Sequence, residues 1–506
     1  MARYSLPCFA LALTAATACL GVAGCNRGSD GVLKAVVIGD TRPTLGNPLA
    51  TPASEADAVL RGSIAQGLVR FDAAGQIEPG LAERWNVSDD GLSYIFRLAD
   101  SEWRDGPRIT ARDIAKMLTK AFKAPPDDPV RDALGAVDEV VAMTDRVIEI
   151  RLRAPRANLL TLLAQPDFAL IRGNAGTGPF VLVPTKPGAA APKDGGLLLN
   201  RRVPGFDGGD GEREEVSLSV LPAARAIAAF RDGNADLVLG GTVANLPLAA
   251  RARLPRGSLR FDPAAGLFGL IPVRASGIGG DEQLRRVLSQ AIDRSALVAA
   301  LNVPALAPRA TILQQGLAGL GAPPQPAWLG QPPDQRRPAL LAAVGRALEA
   351  PRGAEPATRT IAVGLPDGPG GDLILARLIA DWRPLGFTVT RAGKGERADF
   401  RLVDQVAPSD SPAWFVRRFR CGIAAVCLPD VDPLLQTARD VSDARQRATL
   451  LAEAAAKMDE AQLFIPLAAP IRWSLVARSA PGFTENRYAR HPLAGIDARA
   501  NQGINP

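Results

Sequence analysis

The chain has 506 residues, 47% of them apolar, and 59 Lys and Arg against 52 Asp and Glu, for a net charge of +7. That apolar share supports packed cores and excludes a disordered chain, and past the N-terminus no uninterrupted apolar run is long enough to span a bilayer. The arginines are dispersed, as in Arg151, Arg153 and Arg156 or Arg417, Arg418 and Arg420, with no aromatic-basic ladder; a solvated, mildly basic surface is expected, and no nucleic-acid partner.

Residues 1–24 have the layout of a secretory signal. Arg3 supplies the basic start, Leu6 to Leu20 a short apolar core, and Gly21-Val22-Ala23-Gly24 the small residues before Cys25. Val22-Ala23-Gly24-Cys25 resembles a bacterial lipobox, which implies a lipid on Cys25, a membrane tether and a cell-envelope location. An ordinary cleaved signal is the alternative. Of five cysteines, Cys8 and Cys19 would leave with the signal, and Cys421 and Cys427 remain as a close pair. In an oxidising compartment such a pair reads as a small disulfide. A metal site would need further ligands, and the one histidine, His491, is distant in sequence. No metal and no cofactor are expected.

The remainder is too long for one core, so two or three domains are expected. Val32 to Gly39 reads as a buried strand, 40–57 as a loop, and Ala58 to Leu68 as a helix leading into Val69-Arg70-Phe71. Asp90-Gly91 before the alternating run Ser93-Tyr94-Ile95-Phe96-Arg97-Leu98 predicts a hairpin. Thr110, with Asp113 three residues on, predicts a capped helix start. Glu215–Val220, Ala223–Phe230 and Ala235–Leu239 read as strand, helix, strand, and so do Thr360–Leu365, Asp372–Trp382 and Phe387–Arg391. Two such units far apart predict two α/β lobes with partly parallel sheets. Leu284, Val287, Leu288, Ala291 and Ile292 form the buried stripe of an amphipathic helix. Pro-rich stretches at 184–193, 303–309 and 322–338 read as surface loops. Gly368-Pro369-Gly370-Gly371 lacks a phosphate-loop Lys-Ser/Thr and reads as a tight strand-to-helix turn. Asp430 and Asp432, which could pair for calcium or acid-base work, read as a helix-capping loop.

Several segments, taken in order, carry a family resemblance. They are Gly67-Leu68-Val69-Arg70-Phe71-Asp72, Ile77-Glu78-Pro79-Gly80-Leu81-Ala82-Glu83-Arg84-Trp85, Asp90 to Leu98, and Trp103-Arg104-Asp105-Gly106 through Asp113. Downstream lie Gly176-Thr177-Gly178-Pro179-Phe180, Leu284 to Arg294, Leu378 to Val389, Asp430 to Leu435 and Phe464-Ile465-Pro466-Leu467. The series, spanning about 32–485, resembles the family 5 extracellular solute-binding proteins. The resemblance implies a periplasmic-binding-protein-like α/β clamshell of type II, cluster C-like. Its first lobe would be discontinuous (25–60, 166–267 and 465–506), with an inserted subdomain at 61–165 and a second lobe at 268–464. It further implies a monomeric protein that captures a small, peptide-like solute by lobe closure and hands it to an ABC permease.

The same resemblance places ligand-binding candidates at Asp410, Trp414, Phe415, Asn47 and Phe268. Asp410 is the candidate partner for a peptide amine, with Pro408 competing for that register, and Trp414 either stacks on a ligand or fills core. The family often has Asp before the Pro of Leu45-Gly46-Asn47-Pro48, and an Asn-Thr after the strand at Phe268-Gly269-Leu270-Ile271-Pro272-Val273. These departures imply a changed cargo or a lost transport role. No enzyme is expected: there is no Gly-x-Ser-x-Gly elbow, and His491 lies in a Pro-flanked tail. The alternatives on the same scaffold are an envelope hydrolase using a carboxylate dyad and a structural lipoprotein.

Overall fold

The computed structural model describes residues 31–46, 53–123, 134–173, 175–184, 196–203, 212–349 and 359–496. Cys25, Asn47 and most of the stretch 184–193 lie outside the described residues. No helix among the described residues is long and apolar enough to cross a membrane.

The first lobe is built on a seven-stranded mixed sheet. Strand Val32–Ile38 lies at its centre, parallel to both Glu212–Leu221 and Leu237–Thr242. Its sequence is apolar on both faces, as a doubly covered strand requires. Leu33, Ala35 and Val37 face helix Glu55–Ile64, and Val36 faces the helix Ala223–Arg231 that joins the two flanking strands. Ser54 and Asp57 form a reciprocal cap that starts helix Glu55–Ile64 earlier than the apolar spacing suggested. The helix also stops sooner, before Gly67, whose backbone passes so close to the Leu163 carbonyl that a Cβ would lie 2.6 Å from that oxygen.

The inserted region is a four-stranded antiparallel sheet in the order Ala82–Val87, Ser93–Leu98, Val147–Leu152, Val137–Thr144. The Asp90-Gly91 turn forms as read, with the Asp90 carboxylate accepting from Leu92 N at 2.9 Å. Helix Ala111–Phe122, capped by Thr110, packs Ile114 and Leu118 onto Phe96, Ile148 and Ile150.

The second lobe has a five-stranded sheet in the order Thr388–Ala392, Thr360–Gly364, Phe400–Val406, Gly266–Pro272, Ile465–Ala468. Helix Pro369–Trp382 follows the Gly-Pro-Gly-Gly turn. Helix Glu282–Ala291 buries the expected stripe, and two buried arginines fasten its end. Arg285 donates to the carbonyls of Gly279, Gly280, Ala461 and Gln462, and Arg294 to those of Ser289 and Pro466. Cys421 and Cys427 form a disulfide that closes a short loop before helix Asp432–Asp440, a constraint worth about 2 kcal/mol in the chain-entropy picture.

One expectation is corrected. The stretch 322–338 is not all loop: Pro333 to Ala347 is helical, because prolines at a helix start lose no hydrogen bond and Pro338 inside it removes only one. Gly266–Pro272 and Ile465–Ala468 are both strands of the second sheet.

Asp459 is a buried carboxyl of the second lobe, packed among Ile312 and Leu313. It accepts from Ile312 N at 2.9 Å, and burial pushes its pKa up to about 8. The native state therefore holds this proton more tightly than the unfolded chain does. The stability it gives is complete below about pH 4, the unfolded value, and is lost as pH rises toward about 8. Urea midpoints at pH 5 and pH 8.5 should fall more steeply for the wild type than for Asp459→Asn; equal slopes would refute the assignment.

Candidate functional site: the seam between the lobes

The chain passes between the two lobes twice among the described residues. Strand Leu259–Phe261 of the first sheet continues into Gly266–Pro272 of the second, and Ile465–Ala468 of the second continues into Arg472–Val476 of the first. The two crossings lie side by side: Phe261 pairs with Trp473, and Asp262 N donates to Arg472 O at 3.0 Å. Two adjacent extended segments can absorb a change in lobe angle with little disturbance to either sheet.

Polar side-chain pairs pin these crossings. Arg472 donates through Nη1 to Asp404 Oδ1 at 2.7 Å and through Nη2 to the Asp404 carbonyl at 3.1 Å, tying the first sheet to the second lobe. Burial pushes the Asp404 carboxyl above the usual range, and Arg472 opposes that shift. In the first crossing, Asp262 lies 3.1 Å from His491 Nε2, with side chains 3% and 5% exposed. The imidazole stacks on Phe483. Asp262 also accepts from Asn486 N, and the Asn486 side-chain amide donates to Ala73 O and Arg490 O. Tyr488 stacks on Phe71 with ring centres 4.9 Å apart. The C-terminal segment thus straps one crossing to the inserted region. Beneath the strap lies a cavity of about 480 Å³ lined in part by Val59, Phe71, Gln165, Arg201 and His491.

Away from the crossings the lobes touch directly. Asn158 Nδ2 donates to Ser409 Oγ at 2.9 Å, and Gln165 Nε2 to Pro408 O at 2.8 Å. Arg156 Nη2 donates to Arg439 O at 2.6 Å, and Arg439 Nη2 to Gly135 O at 3.0 Å. Gly370 N donates to Ala244 O at 2.9 Å, and a Cβ at Gly370 would lie 1.7 Å from Val243 O. The Gly-Pro-Gly-Gly turn therefore also lets a helix start of the second lobe meet the backbone of the first. Together these contacts describe closed lobes.

Of the expected ligand-binding residues, Asp410 lies at this seam, half-buried; its carbonyl accepts from Ala318 N, and its charge raises the pKa of Tyr488, which burial raises further and Arg487 lowers. Trp414, expected either to stack on a ligand or to fill core, fills core: it meets Phe415 edge-on in a cluster with Leu313, Leu451 and Met458. Phe415 and Phe268 are 0% and 1% exposed and lie in cores, so in this conformation neither offers surface to a guest. Phe268 is inside because its strand is central in its sheet; Phe415 because its short helix packs on helix Ala444–Glu460. Asn47 lies outside the described residues.

Of the arginines read as solvated surface, Arg151 and Arg153 are exposed, and Arg156 and Arg418 are a further correction. Arg156 bridges the seam, and its pKa falls to about 10 because it is buried and surrounded by Arg447, Arg417 and Arg439. Burial also lowers Arg418. Arg472, Asp404, Asp262 and His491 escaped the sequence reading: their partners are 68 and 229 positions apart, and no local spacing encodes such pairs. Among the described residues no group of three or more His, Cys, Asp and Glu comes together as a metal site would need.

Two mixed α/β lobes joined by paired strands and closed along a shared seam define a periplasmic-binding-protein clamshell. The family model for bacterial extracellular solute-binding proteins, family 5 (middle), matches residues 76–405, and the chain belongs to that family. Among curated relatives, the probable deoxycholate-binding periplasmic protein YgiS of Escherichia coli is 33% identical over 119 residues, 20% of this chain and 22% of that one. The oligopeptide-binding protein OppA of Bacillus subtilis is 23% identical over 279 residues, 48% of this chain and 50% of that one. The matches thus span from about a fifth to about half the length of these relatives. Among solved structures, Haemophilus influenzae OppA in complex with RPPGFSPFR has a TM-score of 0.76 at 15% identity, covering 92% of this chain and 99% of that one. The Escherichia coli murein tripeptide binding protein MppA has a TM-score of 0.75 at 17% identity, covering 92% and 98%.

The hinge pair yields a direct test. Removing either partner leaves the other charge desolvated and should cost on the order of 2–3 kcal/mol. Urea unfolding of Asp404→Asn, Arg472→Met and the double variant should show the double to be less destabilised than the sum of the singles. Strict additivity would mean that the two groups do not interact.

Proposed function

We propose that this protein captures a small, peptide-like solute between its lobes and presents the closed form to an ABC permease, without chemical change to the solute. The observation that carries the reading is the two-strand crossing between the lobes, together with the hydrogen bonds that meet across the seam. A ligand that touches both lobes gains most of its contacts in the closed form and shifts the population by that difference in affinity. Membership of a solute-binding family supports the same reading. So do a neighbour in complex with RPPGFSPFR and one described as binding a murein tripeptide. We further propose that Cys25 carries a lipid that tethers the protein to a membrane of the bacterial cell envelope, in the periplasmic space, and that it acts there as a monomer.

Asp410 is our candidate partner for a cationic amine. It offers a carboxylate beside the Tyr488 ring, near the contacts that Pro408 and Ser409 make with the inserted region. The family's ligands are not all peptides: relatives and neighbours include a probable deoxycholate-binding protein and one in complex with Fe(III)-EDTA.

Thermal unfolding against a mixed library of di- to pentapeptides tests the cargo class. A cognate peptide at a hundred times its Kd stabilises by about 2.7 kcal/mol, a rise of several degrees that Asp410→Asn should shrink. A library that moves nothing, together with no co-purifying mass in native mass spectrometry, would contradict a peptide cargo.

A further inference from the structure

The seam also carries a concentration of positive charge in which arginines outnumber carboxylates. There the inserted region meets helix Asp432–Asp440 around a cavity of about 390 Å³, lined by Gly135, Arg153 and Ala154 from one side and by Gln436, Arg439 and Asp440 from the other. Arg156 and Arg447 stand next to it, and Arg417 is close enough to act on Arg156 through its charge. These guanidinium groups come from both lobes.

The hydrogen bonds of Arg153, Arg156, Arg439 and Arg447 go to neutral carbonyls. Arg153 donates to Gly135 O, Arg156 to Pro155 O and Arg439 O, Arg439 to Gly135 O, and Arg447 to Val441 O and Ser442 O. Among the described residues, none of Arg153, Arg156, Arg439 and Arg447 forms an ion pair with a carboxylate. The Nε of Arg447 is buried without a partner. The one carboxylate lining the cavity, Asp440, accepts from Gln436 at 2.8 Å and acts on Arg156 through its charge, and a second, Asp443, acts on Arg447 only at a distance, so two carboxylates face the positive charge of Arg153, Arg156, Arg439 and Arg447. Like charges gathered in a partly desolvated place repel one another, and a carbonyl does not cancel a charge. A multivalent anion would relieve that repulsion and complete the planar, forked donors that guanidinium groups present.

We infer that the cavity between the inserted region and helix Asp432–Asp440 is a binding site for a small multivalent oxyanion, a phosphate compound or a polycarboxylate, that latches the two lobes closed. Its donors converge only when the lobes meet, so the anion favours closure through the same population shift as a cargo does. The site does not depend on the peptide reading, because it uses neither Asp410 nor the contacts around Pro408 and Ser409.

Isothermal titration calorimetry on the full chain tests it, with sodium pyrophosphate in one arm and sodium citrate in the other, at ionic strength held constant with NaCl. Saturable one-site binding in either arm is expected, and the tighter arm identifies the chemistry. Arg439→Gln and Arg153→Gln should each weaken it about tenfold or more. The exposed Arg153 keeps the test decisive if the Arg439 variant does not fold. Two results would overturn the inference: no saturable heat in either arm, or an unchanged Kd in Arg153→Gln. Unaltered anion binding alongside a failed peptide screen would count against the cargo reading alone.

Discussion

Strands Leu259–Phe261 and Arg472–Val476 leave the first sheet as neighbours and reach the second through residues 262–265 and 469–471. Any motion of one lobe against the other has to pass through these paired segments. The strands that feed these segments are hydrogen-bonded to each other, and Asp262 N donates to Arg472 O where they leave the first sheet, a pairing that favours bending or twisting together over sliding. Arg472 bonded to Asp404, and Asp262 bonded to His491, set how far that bending goes. The C-terminal strap then couples the crossing to the inserted region through Asn486 and Tyr488. The seam contacts at Asn158, Gln165 and Gly370 follow from the closed setting of this one joint.

Those contacts are modest in energy. Each is a hydrogen bond between neutral groups, worth about 1 kcal/mol net in exchange for water. They hold the lobes in register without locking them, which is what a reversible clamp needs. An apolar cluster running from Val36 and Val238 through Leu246 and Phe268 to Ile374 and Trp382 joins residues of both lobes, so opening carries a hydrophobic cost wherever that cluster parts.

The elements legible in the sequence were those with local causes. Asp90-Gly91 makes a hairpin because its backbone demands do; Thr110 caps a helix because its hydroxyl reaches Asp113 N; the stripe from Leu284 to Ile292 is buried because of its spacing. The close cysteine pair was legible for the same reason. The joint was not. Asp404 and Arg472, or Asp262 and His491, come together only because two sheets are stacked end to end by the tertiary fold. Trp414 and Phe415 illustrate the opposite failure: an aromatic pair after a strand fits a ligand shelf or a core equally well in sequence, and the long helix Ala444–Glu460 decides in favour of core. Arg153 and Arg156 read singly as surface and gain meaning only when the seam brings them beside Arg439.

The central claim is that the described chain is two rigid lobes that open about the paired crossings. Pulsed electron-spin distance measurement between labels at Arg231→Cys, on a first-lobe helix, and Arg346→Cys, on a second-lobe helix, addresses it most directly. The account predicts a broad or two-peaked distribution for the ligand-depleted protein, with the shorter peak at the closed separation and gaining weight when ligand is added. A single narrow distance at the closed value, unchanged by depletion or by Arg472→Met, would contradict it.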